Sequence, residues 1–170
     1  MNEVLISLGS NLGNRQKNLG ECIKLLSRRL ILIKKSSVFE TNPYGVEDHP
    51  TYLNQAVLFQ SDLIPTSLLN LAKKVERKLG RYNKGNLSPR VIDIDIVLIN
   101  SKKINRRNFR VPHKDYRNRL FVIIPTEEIN RYFRLINFRL LGLKTARKRQ
   151  NKISNAVRPY SQEVQLKRKS

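Results

Sequence analysis

GRYNKGNLSPRVIDIDIVLI, residues Gly80 to Ile99, contains the reading on which the fold turns. Val91 to Ile99 is β-branched and aliphatic enough for a buried strand, yet it carries Asp93 and Asp95, and Asp is depleted from strands. Residues at i and i+2 of a strand share a face, about 7 Å apart, so both carboxylates converge on one point in front of the sheet. That is the geometry of a metal site. Arg81 and Arg90 flank a Gly-, Asn-, Ser- and Pro-containing loop immediately upstream, and carboxylates, a hard cation and arginines together suit a polyphosphate. The bland alternative is a pair of solvated acids on the open face of an antiparallel sheet.

Working outward, Val4 to Leu8 reads as a strand running into Gly9-Ser10-Asn11-Leu12-Gly13-Asn14, with Asn14 capping a helix through about Leu30. The loop lacks the Lys-Ser/Thr of a Walker sequence and the three-glycine dinucleotide fingerprint. Ile31 to Phe39 has strand composition, broken by a turn at Thr41 to Gly45. Tyr52 to Gln60 is a further strand, with Asn54 on the face of Tyr52. Pro65 opens a helix whose stripe of Leu68, Leu69, Ala72, Val75 and Leu79 ends at Gly80. Glu76 lies one turn before that stop, within reach of Lys73. Beyond the aspartate strand, Leu120 to Pro125 reads as a buried strand, and Glu127 to Leu143 as one or two short helices.

The order strand, helix, strand, strand, helix, strand predicts an α+β fold, a ferredoxin-like βαββαβ antiparallel sheet with an additional C-terminal α-rich extension. One domain, 1–143, is expected, followed by a basic tail, 144–170, whose charge and low hydrophobicity read as loose or disordered. The net charge is +21, and nine of the 34 basic residues fall after Leu140 against a single acid, Glu163. The rest is scattered over helix faces in a chain rich in Lys, Asn and Ile, so basicity by itself does not imply nucleic acid. No run approaches a membrane span of about 18 apolar residues, and the N-terminus lacks a signal peptide, which predicts a cytoplasmic protein. The lone cysteine, Cys22, falls on an apolar helical stripe and reads as a buried, inert thiol.

Several blocks share an order and spacing: SLGSNLGNR at Ser7 to Arg15, FETNPYG at Phe39 to Gly45, YLNQAV at Tyr52 to Val57, PRVIDIDI at Pro89 to Ile96, and VPHKDYRNRLFVIIP at Val111 to Pro125. Together they resemble hydroxymethyldihydropterin pyrophosphokinases of folate biosynthesis, over about Met1 to Ile129. The resemblance implies transfer of pyrophosphate from ATP to the hydroxymethyl group of 6-hydroxymethyl-7,8-dihydropterin, with release of AMP. It implies Asp93 and Asp95 as ligands of two magnesium ions (Mg2+), and Arg81 and Arg90 as the catalytic arginines. Glu76, His113 and Arg119 join those arginines at ATP, while Thr41, Asn42, Tyr44, Tyr52, Asn54 and Phe121 take the pterin. Tyr82 to Ser88 becomes a lid, and Asn11 supports the site.

The chain departs from the family pattern at Leu87-Ser88, where tryptophan-glycine is familiar, at Lys114, where an aromatic is common, and at Asn83, where a further arginine occurs. Two other readings remain from the residues: a metal-dependent nucleotidyltransferase, and a basic RNA-binding module. The expected partners are small molecules, with neither membrane nor nucleic acid, and the expected state is a monomer.

Overall fold

The computed structural model describes residues 1–43, 49–82, 88–132 and 157–160. Its centre is an antiparallel sheet in which β1 (Asn2–Ser10) lies between β5 (Asp93–Ile99) and β4 (Tyr52–Ser61). Both β2 (Ile31–Lys35) and β3 (Phe39–Thr41) pair with the far side of β4. The predicted Ile31 to Phe39 strand is therefore two, parted at Ser36. The Ser36 backbone and hydroxyl bond Ala56 instead of continuing the ladder.

One face of the sheet packs on α1 (Arg15–Leu26) and α2 (Pro65–Lys78). Val4, Ile6 and Leu8 of β1, Leu53, Val57 and Phe59 of β4, and Ile94 and Ile96 of β5 meet Leu19, Cys22, Leu26, Leu68 and Ala72 there. The alternation follows from the two-residue period of a strand. Asn14 caps α1 by accepting from the Lys17 amide at 3.0 Å, and Pro65 occupies the first turn of α2, where its missing N–H costs nothing. Cys22 is fully buried in this layer, and burial, with the Glu76 charge adding to it, pushes its thiol up.

The end of α2 positions the site. Gly80 has φ of 97°, its N–H donates to the Arg77 carbonyl at 3.0 Å, and the Arg81 N–H donates to the Glu76 carbonyl at 3.0 Å. This is a Schellman closure, which needs the left-handed conformation that glycine adopts without a Cβ penalty. The turn brings Arg81 back beside Glu76.

The opposite face is half covered. Helix α3 (Leu120–Tyr132) lays Val122 and Ile129 against Leu5, Ala56, Leu58 and Val97. This corrects the expectation of a strand at Leu120 to Pro125. Branched residues favour strands only weakly, whereas Val122, Thr126 and Ile129, spaced four and three apart, are all buried, which suits one face of a helix. Val97 is the extra residue of an irregularity in the β1–β5 ladder, which puts Val97 and Leu98 both in this second cluster. A hairpin of β6 (Ile104–Arg106) and β7 (Phe109–Val111) follows β5 and leads to a 3-10 turn at Tyr116–Asn118.

A second correction concerns the tail. Val157–Pro159 forms β8, which pairs with β3, and the Tyr160 N–H donates to the Val38 carbonyl at 2.8 Å. These four residues are not loose, because the three-residue β3 offers an unpaired edge and Tyr160 adds apolar contact with the core. The rest of 144–170 lies outside the described residues. Among the described residues no helix is long and apolar enough to cross a membrane.

Candidate active site

The uncovered half of the second sheet face is the floor of a cavity of about 460 Å³. Ser7 and Gly9 of β1 form its centre, in register with Asp95 and Asp93 of β5 on one side and with Ala56 and Asn54 of β4 on the other. The walls come from both sequence neighbours and distant loops. Arg81 and Arg90 stand on the α2–β5 side, His113 and Arg119 arrive from beyond the hairpin, and Phe121 lies in the first turn of α3.

Asp93 accepts from Arg81 Nη1 through Oδ1 and from Arg90 Nη1, at 3.2 Å, through Oδ2. Asp95 accepts from Arg119 Nη1 at 3.2 Å, with His113 Nε2 at 3.8 Å from its other oxygen. Asp93 thus faces two guanidinium groups, and Asp95 a guanidinium and an imidazole. Burial pushes the Asp95 carboxyl above the usual carboxylate range, the Asp93 charge adds to this, and His113 and Arg119 oppose it. For Arg81, burial lowers the pKa, but the Asp93 and Glu76 carboxylates outweigh it and leave the guanidinium above its usual value.

Glu76 stands apart from the other expected ATP contacts. It is 2% exposed and does not line the cavity. Its carboxylate accepts from Lys73 Nζ at 2.7 Å, from Arg81 Nη1, and from the Ile94 backbone N–H at 3.0 Å. Glu76 therefore ties α2 to β5 and holds Arg81 from beneath. Asn11, 1% exposed, does similar work for Arg90: its Oδ1 accepts from the Arg90 N–H at 2.7 Å, and its own N–H donates to the Arg90 carbonyl at 3.1 Å.

At the other end of the cavity, Asn54 Nδ2 donates to Thr41 Oγ1 at 2.8 Å, which leaves the Asn54 carbonyl oxygen and one amide hydrogen for a ligand. Tyr52, Phe121, Asn42 and Pro43 line the same cavity. The Arg119 guanidinium sits 5.7 Å from the Phe121 ring centre, so the aromatic end and the charged end adjoin. Of the residues expected at the site, only Tyr44 and most of the lid, 83–87, lie outside the described residues.

Sequence reasoning passed over Ser7, Gly9, His49, Lys73 and Asp115, all of which line the cavity. Gly9 had a legible signal, since glycine inside a strand often marks close approach by a neighbour. Ser7 shares that strand face, two residues before Gly9. His49, Lys73 and Asp115 had no signal, because their approach to the cavity depends on how α2 and the loops pack around the sheet.

Among the described residues no group of three or more His, Cys, Asp or Glu side chains is placed to hold a metal ion. The carboxylate pair nevertheless fits magnesium, which keeps several waters and is held by one or two carboxylates together with substrate phosphates.

The model of the 7,8-dihydro-6-hydroxymethylpterin-pyrophosphokinase family matches residues 5–131. The chain belongs to that family. Among the pyrophosphokinases it resembles, the 2-amino-4-hydroxy-6-hydroxymethyldihydropteridine pyrophosphokinase of Bacillus subtilis (strain 168) is 39% identical over 130 residues, 75% of this chain and 78% of that protein. The protein of the same name in Haemophilus influenzae is 33% identical over 126 residues, 73% of this chain and 79% of its own length. Other relatives are larger: the chain spans 27% of a folate synthesis bifunctional protein of Arabidopsis thaliana, at 37% identity. A solved structure of wild-type Plasmodium falciparum HPPK-DHPS superposes with a TM-score of 0.63 over 92% of this chain and 46% of that one. At 14% identity this likeness concerns the fold alone.

Proposed function

We infer that the chain transfers pyrophosphate from ATP to the hydroxymethyl oxygen of 6-hydroxymethyl-7,8-dihydropterin, releasing AMP, as a diphosphokinase of folate biosynthesis. The observation that carries the residue-level reading is a single cavity with an amide and aromatic slot at one end and a carboxylate–arginine wall at the other. The strand order β5-β1-β4, with β2 and β3 beyond, supports a ferredoxin-like βαββαβ core.

In this reading the pterin edge pairs with the Asn54 amide, which Thr41 orients, while Tyr52 and Phe121 take the ring faces. ATP lies along the opposite end. The hydroxymethyl oxygen attacks the β-phosphorus as the bond from that phosphorus to the AMP oxygen breaks. Such a displacement needs positioning and charge neutralisation more than covalent help from the protein. Asp93 and Asp95 would hold two magnesium ions, which supply neutralisation of the phosphate charge. Arg81 and Arg90 exchange the Asp93 carboxylate for phosphate oxygens and follow the charge as it redistributes. Arg119 and His113 do the same from the Asp95 side. Glu76 and Asn11 act through Arg81 and Arg90, which makes them positioning residues. The reading places a monomer in the cytoplasm, where ATP is available.

The test is product identity. ATP, hydroxymethyldihydropterin and magnesium should yield AMP and the pterin pyrophosphate, and Asp95→Ala should lower turnover by at least about a thousandfold with the far-ultraviolet circular dichroism unchanged. Pterin-independent ATP turnover, or full activity in the variant, defeats the assignment.

A further inference from the structure

Behind the slot, on the helix-covered face of the same two strands, lies a closed polar cluster that the reaction does not use. Arg15, the first residue of α1, places Nη1 3.0 Å from Glu40 Oε1, 2.8 Å from the Thr51 carbonyl oxygen and 2.7 Å from Thr51 Oγ1. The Thr51 hydroxyl in turn donates to Glu40 Oε1 at 2.9 Å. The three groups close a ring. Arg15 and Glu40 side chains are 18% and 21% exposed, so the pair is only partly screened by solvent.

Its place in the chain gives the ring a use. Glu40 is the middle residue of β3, and its neighbour Thr41 points the other way to accept from Asn54. Thr51 immediately precedes Tyr52, the first residue of β4 and a wall of the slot. β3 and β4 pair over only three positions, Phe39 with Asn54, Glu40 with Leu53 and Thr41 with Tyr52. The separation of the two slot walls therefore rests on a short ladder plus whatever ties its open end. Arg15 supplies that tie from α1, bonding β3 through Glu40 and the start of β4 through Thr51.

We propose that Arg15, Glu40 and Thr51 form a clamp behind the sheet that sets the spacing between Thr41 and Tyr52, and so act as positioning residues for pterin recognition. This rests on the reading of the slot as the pterin site. The clamp touches neither substrate, and it lies on the opposite side of the sheet from the arginines that face ATP. Its loss should act on one substrate only.

The experiment compares the wild-type chain with Arg15→Met, Glu40→Gln and Thr51→Val, and with Arg15→Lys as the conservative variant. Steady-state constants are measured for each substrate, together with direct binding of 6-hydroxymethylpterin followed by its fluorescence. Arg15→Met and Glu40→Gln should raise KM and Kd for the pterin about tenfold while KM for ATP and kcat stay within about twofold, with Arg15→Lys recovering part of the loss. Arg15→Met combined with Thr51→Val should cost less than the sum of the two single changes, since both break one ring. Folded variants that bind pterin as wild type does overturn the clamp and leave the substrate reading standing. Equal loss of ATP and pterin affinity overturns it too, by showing general destabilisation. If Arg15→Met does not fold, Glu40→Gln and Thr51→Val, which keep the shape of their side chains, carry the same comparison. A wild-type chain that binds no pterin overturns the substrate reading and the clamp with it.

Discussion

Gly9→Ala separates stability from recognition, because the same methyl group leaves the first nearly unchanged and impairs the second. Gly9 sits in β1 between Asn54 and Asp93, and a Cβ there would lie 3.2 Å from Asn54 Oδ1, 3.7 Å from Tyr52 Cδ1 and 4.0 Å from Asp93 Cβ. Only the first contact is too tight, by a few tenths of an ångström. Asn54 is 3% exposed and its amide nitrogen is held by Thr41 Oγ1, so retreat means leaving a rotamer minimum or stretching that bond. Either costs about 1 kcal/mol. Replacing a glycine whose φ is not positive returns about 0.4–1 kcal/mol by restricting the unfolded chain.

The two nearly cancel, and the melting temperature should move little. The pterin, however, meets a displaced amide, and a misdirected hydrogen-bond pair worth about 1.4 kcal/mol raises its KM roughly tenfold. Gly20→Ala is the control: the site is open, mid-helix in α1, and should gain about 1 kcal/mol in urea denaturation with unchanged kinetics. Steady-state kinetics in both substrates and equilibrium unfolding provide the readout. A Gly9→Ala enzyme whose pterin KM stays within about twofold of wild type refutes the reasoning, since the amide would then tolerate the methyl.

Two further outcomes concern other parts of the molecule. Asp95 is held above the usual carboxylate range in the fold, so its stabilising contribution is fully present below the unfolded pKa and is lost as pH rises through the folded pKa. Asp95→Asn should therefore lose turnover yet make the metal-free protein more resistant to urea at pH 7, with the advantage shrinking in acid; a variant less stable than wild type at pH 7 contradicts this. Ending the chain at Ala156 removes β8 and the Tyr160 contact with the core, and should cost about 2 kcal/mol in urea denaturation while kcat at saturating substrates stays within about twofold. Unchanged stability would show that β8 adds nothing to the sheet.

The sequence by itself determined the elements whose signals are local. Alternation in Tyr52 to Gln60, the Asn14 cap, Pro65 and Gly80 each bias a few neighbouring residues, and the corresponding elements form where those signals stand. It also determined that Asp93 and Asp95 share a face, because the strand period is two wherever the strand is placed. Tertiary structure decided what those carboxylates meet. The pairing of Asp93 with Arg81 and Arg90, and of Asp95 with Arg119 and His113, depends on how the turn after α2 and the segment beyond the β6–β7 hairpin return to the sheet. Leu120 to Pro125 shows the same limit in the backbone, where an apolar run of strand-forming residues became helix because one helical face could be buried against β4. The place of Gly9 beneath Asn54, and the ring of Arg15, Glu40 and Thr51 behind it, arise only when three strands and a helix from separate parts of the chain are brought into contact. No local propensity encodes that, because the energy resides in contacts between residues far apart in sequence.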